Sequence, residues 1–172
     1  MRLLLLLIPL IFTGLNSYSQ KLTGEGGELS MLGLNANANM WISKTTGFEV
    51  FGGVSSELGN FNPNDFEAGF KYLNTFLFNR TDRTYFGLMG KWKWMDLASE
   101  TKVKVNLPVV GLLIGKEWLS QRKPRGGFAV ELGYQYGSKN YEIMIDQVLV
   151  DKKSYDEFPL ILNLQYTFYK RN

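Results

Sequence analysis

From residue 160 to residue 169 the chain alternates almost without error. Leu160, Leu162, Leu164, Tyr166 and Phe168 stand against Ile161, Asn163, Gln165, Thr167 and Tyr169. Side chains of an extended strand point to opposite faces with period two, so this segment forms a strand with one apolar face ending in aromatics and one polar face. Such a strand has two homes. It can be half-buried in a water-soluble sheet, or it can cross a membrane in a closed barrel with lipid outside and polar groups inside.

The same division recurs along the chain, punctuated by Gly, Asn, Asp and Pro, with no helical periodicity. Leu32, Leu34, Ala36, Ala38, Met40 and Ile42 alternate with Asn35, Asn37 and Asn39 before the turn Lys44 to Gly47. Phe48, Val50, Gly52 and Val54 alternate with Glu49, Phe51, Gly53 and Ser55, followed by a loop over Gly59 to Asn64. Phe66, Ala68, Phe70, Tyr72, Phe76 and Phe78 oppose Glu67, Gly69, Lys71 and Thr75, and Asn79 to Arg83 turns the chain. Phe86, Leu88, Gly90, Trp92 and Trp94 oppose Tyr85, Gly87, Lys91 and Lys93. A polar stretch from Asp96 to Lys104 precedes Val105 to Trp118, whose phase is ambiguous because Leu112, Leu113 and Ile114 run together. Phe128, Val130, Leu132, Tyr134 and Tyr136 then oppose Ala129, Glu131, Gly133, Gln135 and Gly137.

These are seven clear strands, and a barrel with both chain ends on one side needs an even number. The eighth is expected within Lys21 to Ser30, loosened by Gly24, Gly26 and Gly27. The segment Tyr141 to Ile145 reads instead as one arm of a protruding hairpin paired with Val148-Leu149-Val150. On that reading 138–157, 96–104 and 59–65 are outer connections, while 44–47, 79–83 and 120–126 are short turns at the other end.

The N-terminus reads as a secretion signal over residues 1–19. Met1-Arg2 is a positive lead, Leu3 to Phe12 an apolar run, and Ser17 and Ser19 are small residues before a cut at Gln20. Ten apolar residues broken by Pro9 fall short of the ~20 that a spanning helix needs. Residues 20–172 then form one domain. The net charge is only +3, which leaves no nucleic-acid footprint. The chain has no cysteine, hence no disulfide, thiolate metal site or lipid-modified N-terminal cysteine.

It also has no histidine, which removes Ser-His-Asp hydrolysis, Asp-His proteolysis and imidazole metal sites. Asp146, Asp151, Asp156 and Glu157 have no spacing suited to a cation loop. No enzyme, cofactor or metal is expected.

Glu49, Glu67, Lys71, Lys91, Lys93 and Glu131 all fall opposite the apolar stripe, with nearly balanced signs. In a narrow membrane barrel they would point inward and pair as a charge network filling the lumen. Trp41, Trp92, Trp94, Trp118, Tyr166 and Phe168, with Tyr134 and Tyr136, cluster at strand ends, where interfacial aromatic girdles sit. Ten residues at ~3.3 Å each, tilted by ~45°, match the ~25 Å apolar band of an outer membrane.

At this point the chain resembles the small, porin-like outer-membrane β-barrel proteins common in Bacteroidota. The likeness rests on Ser19-Gln20 at the cut, Leu107-Pro108-Val109-Val110 opening one strand, Gly126-Gly127-Phe128 opening the next with Gly133-Tyr134 after it, and the closing Leu-x-Leu-x-Tyr-x-Phe face. One departure is that Lys170-Arg171-Asn172 follows the last aromatic. The resemblance implies an all-β, antiparallel up-and-down transmembrane β-barrel of about eight strands in the outer membrane. Its implied partners are outer-membrane lipid and, through the C-terminal strand, the barrel-assembly machinery.

Two functional classes stay open. One is a structural or interaction protein whose outer loops touch a protein or glycan. The other is a ligand-binding barrel, either a soluble periplasmic lipocalin-like one or a membrane barrel with a narrow solute path. The candidate contact surface is the longest connection, at Tyr141, Ile143, Met144 and Ile145.

Overall fold

The computed structural model describes residues 22–30, 33–57, 60–96, 104–120, 125–145 and 148–171, and their side chains except at 56–57, 60–64, 96, 104–105, 140–153, 155 and 171. The expected leader, residues 1–19, lies outside the described residues. Among these residues the secondary structure is all strand: β1 (Leu22–Ser30), β2 (Gly33–Trp41), β3 (Thr46–Glu57), β4 (Asn60–Phe78), β5 (Asp82–Asp96), β6 (Lys104–Leu119), β7 (Arg125–Tyr136), β8 (Ser138–Ile145), β9 (Val148–Asp156) and β10 (Leu160–Arg171). Eight of them close an antiparallel barrel in the order β1-β10-β7-β6-β5-β4-β3-β2, with β8 and β9 as a separate two-stranded sheet. This is an up-and-down barrel interrupted by one inserted arm. Closure leaves the barrel wall without an unpaired edge.

The closing strand is the glycine-rich β1. It pairs with β10 from Leu22↔Arg171 to Ser30↔Asn163 and with β2 from Leu22↔Trp41 to Ser30↔Gly33. A Cβ at Gly26 would run into the Tyr166 carbonyl oxygen and stand 2.9 Å from the Asn37 side chain, so β10 and the Asn37 side chain come this close only because Gly26 has no side chain. The segment from Tyr141 to Ile145 belongs to β8 and pairs with β9, outside the barrel.

Two turns are drawn differently from the sequence reading. Residues 60–65 are strand and not loop: Ser56↔Phe61 and Glu57↔Asn60 carry the β3–β4 hairpin past the barrel rim, beyond a register shift at Val54/Ser56. Pro63 falls in that shifted interval, where no ladder bond demands its missing N–H. At the opposite rim the β4–β5 turn is shorter than 79–83, because β5 begins at Asp82 and Arg83 already pairs with Phe78. A bulge between Thr75 and Leu77 lets Phe76, Leu77 and Phe78 all face outward.

The ambiguous run in β6 takes one phase. Leu113 is 4% exposed, whereas Leu112 and Ile114 are 62% and 52% exposed. Around the barrel, outward positions carry exposed Val50, Phe70, Leu88, Leu132 and Leu164, while inward positions carry buried Glu, Lys, Asn and Gln. Among the described buried residues, polar and charged side chains outnumber apolar ones. This inverts the usual soluble arrangement.

Candidate functional site

The barrel interior is built from inward positions on every wall strand, and period-two alternation puts its charges there. Lys71 of β4, fully buried, is its centre. Its Nζ donates to Glu28 of β1, lies 2.7 Å from Glu131 of β7 and 2.9 Å from Glu49 of β3. Asn163 donates to Glu131 at 3.0 Å and Gln165 to Glu49 at 2.5 Å. Three carboxylates around one ammonium stay in a dry interior only if amides and hydroxyls take up their remaining lone pairs.

Toward the rim with the long connections, Lys91 reaches Glu67 at 3.0 Å, and Asn35 donates to the same carboxylate at 2.7 Å. Lys93 meets Glu157 at 2.8 Å. All six charges singled out in the sequence, Glu49, Glu67, Lys71, Lys91, Lys93 and Glu131, are therefore buried inside the barrel.

Glu28 and Glu157 were missed for different reasons. Glu28 sits on the glycine-rich strand, where alternation is too faint to phase. Glu157 was grouped with the outer connection. Instead it is 6% exposed and returns into the barrel mouth, its N–H donating to the Gly137 carbonyl at 2.8 Å. Gln135 donates to the Phe158 carbonyl at 2.8 Å and to Glu157 at 3.3 Å. The base of the β8–β9 arm is thereby bound to the interior.

A second cluster lies toward the rim that holds the chain ends. Arg83 places its guanidinium 4.0 Å from the Trp41 ring centroid and 5.5 Å from that of Tyr169, and its Nε is 2.7 Å from Glu117. The Tyr169 hydroxyl donates to Glu117 at 2.5 Å. Trp41 also meets Tyr85 edge-on at 5.9 Å, and the Tyr85 hydroxyl donates to Glu131 at 2.8 Å, joining this cluster to the Lys71 network. Gly115 makes room for Tyr85, since a Cβ there would stand 2.5 Å from the ring.

Trp41 corrects one expectation. It is 3% exposed and part of the interior, so it belongs to no outer girdle. Strict alternation from Asn35, Asn37 and Asn39 carries β2 inward at 41, and the phase of the strand overrides the position of an aromatic near its end. The other named aromatics face outward. Trp92 and Trp94 lie on β5 toward the rim with long connections, beside Phe66. Trp118, Tyr166 and Phe168 lie toward the opposite rim, where Trp118 stacks on Phe128 at 6.1 Å and Tyr166 meets Phe168 edge-on at 4.8 Å.

Tyr141, Ile143, Met144 and Ile145 are in β8, opposite Lys153, Asp151, Leu149 and Val148; their side chains lie outside the described ones. Among the described residues no group of acidic side chains is arranged to hold a metal ion.

No family model matches the chain, and no curated protein or solved structure matches it either. The fold and its interior stand on their own geometry.

Proposed function

We propose that this chain is an outer-membrane β-barrel with a structural or interaction role. Its lumen is closed by inward charged side chains, and its β8–β9 arm is the outer contact surface. The observation that carries the reading is the inverted distribution of polarity. Leu, Val, Ile and Phe ring the outside of the wall from strand to strand, and Lys71, Lys93, Glu49 and Glu131 are almost wholly buried. Soluble monomers rarely expose a contiguous apolar patch beyond a few hundred Å². A water-soluble ligand-binding barrel would place these two sets the other way round.

The outward face supports the same reading in detail. The described charges that stand out from it are few. Glu25 and Lys170 pair at 3.4 Å near the rim with the chain ends, and Lys116 lies 5.6 Å from the Trp118 ring centroid, a place suited to snorkelling. The turns 42–45 and 79–81 at that rim are short, while the arm and the β3–β4 extension rise from the other. Short turns belong to the periplasmic side of such barrels and long ones to the outside. Inside, a cavity of about 20 Å³ beside Glu28, Glu67 and Lys91 has room for about one water, which favours a barrel that does not conduct.

Leu132→Arg tests the reading. At an outward position near mid-band it is expected to cost about 2–4 kcal/mol of folding stability in lipid vesicles, whereas on a water-soluble barrel the same change would be neutral. Heat-modifiable gel migration and retention in the detergent fraction are expected of the unmodified protein. Release by osmotic shock without detergent would overturn the proposal.

A further inference from the structure

The β8–β9 arm continues the β7–β10 pairing upward. Tyr134 faces Leu160 in the wall and Ser138 faces Asp156 in the arm. Between them the Gln135 N–H donates to the Pro159 carbonyl at 2.7 Å and the Glu157 N–H to the Gly137 carbonyl at 2.8 Å. One antiparallel ladder therefore runs from the barrel wall into the arm.

The wall beside this ladder does not rise as far. β1 pairs with β10 only up to Ser30↔Asn163, and β2 meets β1 last at Gly33, whereas β3 goes on to Glu57↔Asn60. Leu160 to Leu162 and all of β9 thus have no strand on the β1 side among the described residues. Two strands, β1 and β2, separate β10 from β3, so the open side above them is about 14 Å across. The other edge of the arm is occupied at its base: Lys139 Nζ donates to the Asn106 carbonyl of β6 at 2.8 Å, and a Cβ at Gly137 would stand 2.7 Å from Val109.

The ladder also fixes where the backbone groups of this edge point. Glu157 directs its N–H to β7, and along a strand successive residues turn their N–H and C=O groups to opposite sides. Those of Asp156 and Ser154 therefore point away from β8, into the open side, and both residues are exposed. No proline stands in β9 to blunt the edge. A row of unpaired backbone donors and acceptors at strand spacing is matched by another extended backbone, and by no lipid or glycan.

We propose that the free edge of β9 takes up an extended strand of another polypeptide, which adds to the β8–β9 sheet above β1 and β2. The proposal rests on the reading of the arm as a contact surface. It does not rest on the barrel lying in a membrane.

The probe is a dye-labelled peptide, Lys-Asn-Tyr-Glu-Ile-Met-Ile, the sequence of residues 139–145 that already pairs with β9 on its other side. Fluorescence anisotropy follows its titration with the full chain, held in dodecyl maltoside micelles or, should osmotic shock release the protein, in plain buffer. Saturable one-to-one binding is expected. It should weaken roughly ten-fold in Ser154→Pro, which deletes one outward N–H and puts a ring in the path of the incoming strand without touching the β8–β9 ladder. The same peptide N-methylated at every residue keeps its side chains, lacks its N–H donors and should not bind.

Circular dichroism and protease resistance of the arm check that Ser154→Pro is folded; if it is not, the N-methylated peptide decides. Equal binding by Ser154→Pro or by the N-methylated peptide would overturn the proposal, as would binding to a chain in which a Gly-Asn turn replaces 138–156. Full binding by Ser154→Pro with none by the armless chain leaves the arm a contact surface and removes the edge from it. Concentration-dependent dimers of the unmodified chain that Ser154→Pro abolishes would assign the edge to a second copy and overturn its assignment to a foreign strand. Release by osmotic shock overturns the membrane reading alone and leaves this titration in place.

Discussion

Toward the rim that carries the chain ends, one guanidinium lies over two aromatic rings and pairs with a single carboxylate. At the centre and toward the other rim, three ammonium groups are held by carboxylates and amides, with the Phe51 ring 5.3 Å from Lys71. Arg83 touches Trp41, Tyr169 and Glu117, whereas Lys71 has Glu28, Glu49 and Glu131 around it. Each cation suits its place. A planar, weakly hydrated guanidinium can exchange water for ring faces, while a compact ammonium with three donors needs oxygen on several sides. The difference teaches that burying charge in a narrow barrel has at least two workable solutions, and that the residue type at each inward position follows from its neighbours across the lumen.

The largest expected effect comes from removing the hub. Lys71→Met leaves three buried carboxylates without their cation and should destabilise the barrel by about 3–5 kcal/mol, read from urea unfolding in lipid vesicles by tryptophan fluorescence. A cost near zero would mean that water reaches this interior freely. Next comes Glu157→Gln, which deprives Lys93 of its charge partner and loosens the arm. About 1–3 kcal/mol is expected, with faster protease cleavage between residues 138 and 156 while the barrel fragment persists. Unchanged cleavage would show that the arm does not depend on its anchor in the lumen.

Arg83→Lys keeps the charge and loses the stacking. A loss of about 1–2 kcal/mol is expected, and a loss as large as that of Lys71→Met would erase the distinction between the two halves. The smallest effect is expected at the exposed pair: Lys170→Gln should change stability by less than about 0.5 kcal/mol, since both partners are 73% exposed. Replacing 138–156 by a Gly-Asn turn while keeping Glu157 should leave assembly intact. A barrel that no longer forms would show the arm to be part of the folding unit.

How much of this was legible beforehand depends on how far each feature is local. Alternation is local, so the chain by itself determined seven of the wall strands and, outside the mixed run Leu112 to Ile114, the side that most of their residues face, hence the inward placement of Glu49, Glu67, Lys71, Lys91, Lys93 and Glu131. Parity added the strand at Leu22–Ser30. What alternation cannot encode is which inward residues meet, because partners such as Lys71 and Glu131 are 60 positions apart and come from strands that face each other only after closure.

Tertiary structure alone decided that Glu157 dips into the mouth, that Arg83 lies over Trp41, and which of two sequence rules holds at Trp41 itself. In the last case two sequence rules conflicted, the aromatic girdle and the period of the strand. The period prevailed because backbone hydrogen bonding sets the direction of every side chain along β2, and one outward indole would have required breaking that ladder.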